Sequence, residues 1–273
     1  MSVLSVYLEG VGLWSTQLAD FAGLQSMLAG TPPPPPAARP AAATLPPNER
    51  RRATSSVLLA VEVAGQAVAM SGREPAALAC VFASSHGDQQ ITDYMCATLA
   101  RAPEELSPIR FHNSVHNAAV GYWTIATGCH EPSTAVASQR ASFGAGLLEA
   151  VSMVLAEQRA VLLVCSDIAA EEPLREVTHC NQPFGCALVL TTQAGPATLA
   201  RLQIELTADM NESPLTQPLA GWRSDNPSAA SLPLLATLAH GGGTCQLAAS
   251  THLGLHIRVD AIDRESTGNE PTR

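Results

Sequence analysis

The sequence contains no lysine. All fifteen basic residues are arginine, set against 24 Asp and Glu, for a formal net charge of −9 over 273 residues. A chain this acidic, with its arginines scattered, offers a polyanion no basic surface, which excludes a nucleic-acid partner. It has no CxxC pair either. Its seven cysteines, at 80, 96, 129, 165, 180, 186 and 245, are odd in number. Several lie in apolar runs such as VLLVC, where a thiol packs as a small hydrophobe, so a reducing, cytoplasmic setting is expected. His179, Cys180 and Cys186 fit no standard zinc spacing, and neither a metal nor another cofactor is expected. No apolar run approaches the roughly 18 residues of a bilayer span. The opening MSVLSVYLEGVGLW lacks the basic start and cleavage site of a secretory leader. A soluble protein without a membrane span is the expectation.

What is present is 46% hydrophobic residues, enough for one sizeable domain or a domain with an appendage. Val3 to Val11 reads as a strand closing on Gly10 and Gly12, and Leu18 to Leu28 as a helix ending at Gly30. TPPPPPAARPAAATLPP, residues 31–47, reads as an exposed, partly polyproline loop. Asn48 to Met70 reads as one helix with Arg50, Arg51 and Arg52 in its first turn. A short strand at 79–83, a helix from Asp88 to Leu99 and a helix from Val115 to Thr127 follow. Ser133 to Ser138 reads as a buried strand, running into a helix from Ala141 to about Gln158. The continuous apolar run at 160–165 predicts a strand covered on both faces, with two more strands at 184–191 and 199–206. Residues 207–231 read as a linker, followed by a helix at 232–239 and strands to Val259. Residues 260–273 read as a disordered tail. Strands alternating with helices predict a layered α/β fold, a mixed sheet with helices on both faces.

Several places carry reactive residue types. Ser84, Ser85, His86 and Asp88 hold the chemistry of a triad, but triads assemble in space and not from sequence neighbours. HGGGT at 240–244 reads either as a catalytic or oxyanion loop or as a helix cap followed by a turn. His112, His116 and His130 flank the 115–127 helix, where one could titrate near neutral pH. The junction at 138–142 is the most informative. A residue entering a helix there meets unsatisfied N–H groups and the positive dipole end, which favour a thiolate or an oxyanion. The sequence offers Ser138, Gln139, Arg140, Ala141 and Ser142, with no cysteine, and serine without a base is a weak nucleophile.

The stretch NAAVGYWTIATGCHEPSTAVASQRASFGAGLLEA, 117–150, resembles the β-ketoacyl synthase family of the thiolase superfamily. Asn117, Gly121, Gly128 and the turn Glu131-Pro132-Ser133 keep that family's order and spacing. NERRRATSSVLLAVEVAGQA, VFASSHGD, PFGCALVL and ARLQIEL look like further pieces of it, so the likeness covers about residues 1–206. It implies a thiolase-like fold, N-terminal half only. It places a strand at a dimer two-fold and the nucleophilic cysteine eight residues after Pro132. That position is Arg140, or Gln139 with a one-residue slip.

The family's two histidines and its lysine come from a second half with no counterpart here, and the chain holds no lysine. The resemblance therefore implies a non-catalytic subunit of the chain-length-factor type, nearest the aryl-polyene kind. No residue would be catalytic. Such a subunit forms a heterodimer with an active β-ketoacyl synthase and helps shape the acyl tunnel, with acyl carrier protein as a further partner. Phe111, His116, Tyr122, Ser138, Gln139 and Arg140 would lie at the interface and tunnel. Arg140, opposing the helix dipole, would pair with a carboxylate of the partner, of Glu131 or of Glu149. Two alternatives stand beside this reading: an acyltransferase or hydrolase using Ser138 or Ser142 with a nearby histidine, and a scaffold that binds acyl carrier protein without shaping product.

Overall fold

Side chains on a strand alternate between faces, so an unbroken apolar run must be covered on both. Three such runs form the centre of this molecule: β2 (Ala79–Ala83), β4 (Val161–Asp167) and β5 (Phe184–Thr191). The structure, a computed structural model, describes residues 3–262. Ahead of β2 come β1 (Leu4–Ser15), α1 (Phe21–Leu28), α2 (Pro47–Arg52) and α3 (Ser55–Ser71). Between β2 and β4 lie α4 (Gln89–Arg101), α5 (Pro108–His112), α6 (Ala118–Thr127), β3 (Ser133–Val136) and α7 (Ser142–Glu157). Helix α8 (Leu174–Thr178) precedes β5, and β6 (Ala200–Thr207) follows it. The chain ends in α9 (Leu219–Asp225), α10 (Leu232–Ala239), β7 (Gly242–Ala248) and β8 (Gly254–Ala261).

Among the described residues, eight strands form one sheet in the order β3-β2-β4-β5-β1-β6-β8-β7. β2 runs parallel to β3 and β4, and the other neighbours are antiparallel. Helices α3 and α6 bury one face around Val63, Ala67, Trp123 and Val164. Helices α1, α7 and α10 bury the other around Phe143, Leu147, Leu163 and Leu235. The expected mixed sheet with helices on both faces is the fold that forms.

Particular elements differ from the sequence reading. β1 does not close on its glycines; it runs through them to Ser15. A Cβ on Gly10 would stand 2.0 Å from the Ala67 carbonyl oxygen, and one on Gly12 2.0 Å from that of Val63. The glycines let the backbone of α3 lie directly on the central strand. Residues 48–70 form two helices, because Ala53 is extended and Thr54 caps α3 through the Val57 N–H. The proline-rich segment is irregular and largely exposed, yet Ala42 and Leu45 are buried, and the Ala42 N–H donates to Glu62. β3 is half-buried and ends at Val136, because it lies at the edge of the sheet.

The segment 207–231 is no linker. It holds α9, with buried Leu219 and Trp222, and a 3-10 turn at Pro227–Ser231. Its polar composition hides this, since Asn226, Ser228 and Ser231 are buried through hydrogen bonds. Asn226 Nδ2 donates to the Asp167 and Gln182 carbonyls at 2.8 and 2.7 Å. Asp260 and Ala261, read as tail, belong to β8, which pairs with β6 over eight positions. Residues 263–273 of that expected tail lie outside the described residues.

Candidate functional site at the β3–α7 junction

β3 stops at Val136 and the chain turns sharply into α7. Gln139 has φ +48°, a left-handed conformation that a side chain disfavours. Such strain persists only where the surroundings over-determine it. Here the Gln139 carbonyl accepts the Ser142 hydroxyl at 2.6 Å, the Ser142 N–H at 3.1 Å and the Ser85 hydroxyl at 2.5 Å. Ser142 Oγ in turn accepts the Ser138 N–H at 2.9 Å. The first turn of α7 is pinned from outside as well, because a Cβ on Gly144 would stand 2.1 Å from the Ala248 carbonyl oxygen.

One buried carboxylate anchors this arrangement. Asp167 ends β4 and is 1% exposed. It accepts the hydroxyls of Ser84 at 2.7 Å and Ser228 at 2.5 Å, and the Ser85 N–H at 3.0 Å. The loop after β2 and the C-terminal 3-10 turn therefore meet at a single side chain, and the Ser85 hydroxyl links that loop to the elbow at the Gln139 carbonyl. Burial pushes its carboxyl above the ordinary value, while the Ser228 and Ser84 hydroxyls and nearby His86 pull it back. A folded-state pKa above the unfolded value of about 3.9 favours folding below that value, and the gain is lost as pH rises through the folded pKa. The difference in urea midpoint between the native chain and Asp167→Asn is therefore expected to change with pH across that window. A constant difference would contradict it.

Arg140 is exposed and does not pair with either candidate glutamate. Glu131 is bound to Arg159. The Arg140 guanidinium instead donates to the Arg223 carbonyl at 2.7 Å, and more weakly to that of Ser224 at 3.4 Å. Both carbonyls sit in the last turn of α9, where carbonyls lack helical partners and the dipole end is negative. The charge thus leaves the positive end of α7 and settles on the negative end of α9. Arg140→Ala is expected to cost about 0.5–1 kcal/mol and to expose α9 to proteolysis, measured by urea denaturation and limited trypsinolysis. Unchanged cleavage within 219–225 would contradict the anchoring.

Neither Gln139 nor Arg140 is a nucleophile, and the Ser85 and Ser142 hydroxyls are committed to the Gln139 carbonyl. Ser142 is fully buried, and no histidine is hydrogen-bonded to it or to Ser138 among the described residues. His116 Nε2 lies 3.0 Å from the Ser84 carbonyl, Asp88 caps α4, and Ser84 is held by Asp167, so that cluster forms no triad. His240 caps α10, and Gly241, Gly242 and Gly243 carry positive φ into β7, so HGGGT is a helix end. Burial pushes the Cys180 and Cys186 thiols up to about 12, which leaves no thiolate there at neutral pH. No group of three His, Cys, Asp or Glu able to hold a metal occurs among the described residues.

The other distinctive surface lies beside the elbow. β3 pairs only with β2, so its outer edge is open. On and beside α5 and α6, Ile109, Phe111, Val115 and Ile125 are exposed, Phe111 by 56% and Ile125 by 83%. Exposed apolar side chains and an open strand edge each mark an interaction surface. A groove of about 490 Å³ runs along α6, floored by Gly121, Tyr122 and Ala126. The structure thus gathers Phe111, His116 and Tyr122 about α5 and α6, and Ser138, Gln139 and Arg140 at the elbow. Sequence reasoning passed over Asp167 and Ser228. A lone carboxylate closing the apolar run VLLVCSD was the available signal.

The model of the β-ketoacyl synthase N-terminal domain matches residues 25–253. The chain belongs to that family. No curated protein matches its sequence. Among solved structures it is similar to a ketosynthase in complex with its chain length factor from Xenorhabdus doucetiae. The TM-score is 0.72 at 23% identity, over 93% of this chain and 99% of that one. It is similar also to the ishigamide ketosynthase/chain length factor, with a TM-score of 0.70 at 17% identity, over 95% and 100% of the two chains. A third is a type II polyketide acyl-carrier protein in complex with its ketosynthase, with a TM-score of 0.68 at 11% identity, over 94% and 99%. These likenesses establish the fold as thiolase-like. No helix among the described residues is long and apolar enough to cross a membrane.

Proposed function

We propose that this chain is a non-catalytic, ketosynthase-like subunit of the chain-length-factor type, which acts as a heterodimer with an active β-ketoacyl synthase in fatty-acid or polyketide-type synthesis. The observation that carries the reading is the elbow. A strained turn at a helix N-terminus, braced by Ser85 and Ser142, carries Gln139 and Arg140 at the position that the family resemblance gives to the nucleophilic thiol. The open edge of β3 and the exposed face of α5 and α6 supply the surface for the ketosynthase, with Phe111, His116 and Tyr122 at the joint and the α6 groove as one wall of an acyl tunnel. Arg140, Gln139 and Ser138 border a separate cleft of about 320 Å³, which shares no lining residue with that groove. The aryl-polyene pathway, a cytoplasmic location and contact with acyl carrier protein belong to the same proposal. Against the serine-hydrolase alternative, no histidine is hydrogen-bonded to Ser138 or Ser142 among the described residues.

The test is reconstitution with malonyl- and acyl-carrier protein and the ketosynthase encoded beside this gene. Condensation is expected from the pair and not from this chain alone. Robust chain extension by the isolated chain would overturn the reading, as would failure of the two proteins to associate.

A further inference from the structure

Asn113 closes α5 and lines the α6 groove. It is only 5% exposed, yet its side-chain oxygen has no hydrogen-bond partner among the described residues. A buried amide oxygen left unpaired is costly, and on a residue that lines a ligand-sized groove it points to a donor that arrives with the ligand. The groove's polarity is graded. His112, Asn113 and Asn117 lie at the end where α6 begins, while Ile125 and Ala126 lie about 13 Å further along the helix.

Resting on the reading of this groove as one wall of the acyl tunnel, we propose that Asn113 is a specificity-determining residue. It selects an acyl chain that carries a hydroxyl over a plain hydrocarbon. The O–H donates to the Asn113 side-chain oxygen near the start of α6, and the hydrocarbon lies along Gly121, Tyr122 and Ile125. A site that holds a substrate hydroxyl rejects the analogue lacking it, because its own polar group is then left unpaired.

The experiment uses the copurified pair with the ketosynthase. Free decanoic, 3-hydroxydecanoic and 9-hydroxydecanoic acids are titrated, since free acids cannot acylate the enzyme. The native pair is expected to bind one of the hydroxy acids at least tenfold more tightly than decanoic acid. Asn113→Leu should abolish that preference without weakening decanoic acid. Gly121→Leu should block all three acids, because a Cβ at Gly121 meets nothing within 4 Å and extends into open space. Equal binding of all three acids by the native pair overturns the role of Asn113 and leaves the tunnel reading intact. So does a preference that survives Asn113→Leu; Asn113 is then satisfied by a water in the 30 Å³ cavity it also lines with Ser84 and Asp88. Failure of every acid to bind, or binding that Gly121→Leu does not touch, overturns the tunnel reading together with the proposal.

Discussion

Phe111→Asp combined with Ile125→Asp is expected to weaken pairing with the ketosynthase at least a hundredfold while leaving this chain folded. Both side chains project into solvent in the isolated molecule, so neither supports its core. Burying each against a partner removes apolar surface from water, a gain of roughly 1.5–3 kcal/mol per side chain. Aspartate forfeits that gain and adds the desolvation of a carboxylate, several kcal/mol if it stays charged and unpaired. A hundredfold loss needs only about 2.8 kcal/mol, so the estimate is conservative. Light scattering after size exclusion reads the assembly, and circular dichroism checks the fold. An unchanged heterodimer would show that the face formed by α5 and α6 is not the interface.

Gly12→Ala is expected to prevent stable folding, whereas Gly121→Ala should stabilise the chain by about 0.5–1 kcal/mol. The same chemical change acts in opposite directions because the surroundings differ. At Gly12 the new methyl would stand 2.0 Å from the Val63 carbonyl oxygen, a backbone atom of the helix that covers the sheet. α3 packs across β1, β5 and β4, so it cannot yield without lifting off the centre of the sheet. Overpacking of flexible side chains costs about 1–3 kcal/mol, and a clash between backbones exceeds that. At Gly121 the methyl meets nothing within 4 Å, and the helix loses a residue that disfavours it. Urea midpoints decide both cases. A well-folded Gly12→Ala chain would mean that α3 sits further from β1 than described.

Much of the architecture was legible from periodicity. β2 and β5, and the helix at 232–239, fall where the apolar runs placed them. An apolar run must be covered on both faces wherever it sits, so its burial is a local property of the chain. The errors share one cause. Gly10 and Gly12 looked like a strand end, and 207–231 like a linker, because glycine, serine, asparagine and proline usually mark turns. Here the glycines admit α3, and Asn226 and Ser228 are buried on partners distant in sequence.

The candidate site divides in the same way. That no cysteine stands at the β3–α7 junction, and that no lysine exists in the chain, is determined by the sequence alone, since the absence of a residue type needs no coordinates. Where Arg140 sends its charge was not legible. Glu131 and Glu149 were the carboxylates in view along the chain, yet the guanidinium rests on carbonyls of α9, more than eighty residues away. Which groups brace the elbow was equally hidden. Asp167 joins Ser84 and Ser228 only because β2, β4 and the 3-10 turn after α9 end at one place in the folded sheet. Composition and spacing determine which chemistry the chain lacks. Only the packing of its layers decides which remaining groups meet, because hydrogen bonds and ion pairs form between neighbours in space whatever their separation along the chain.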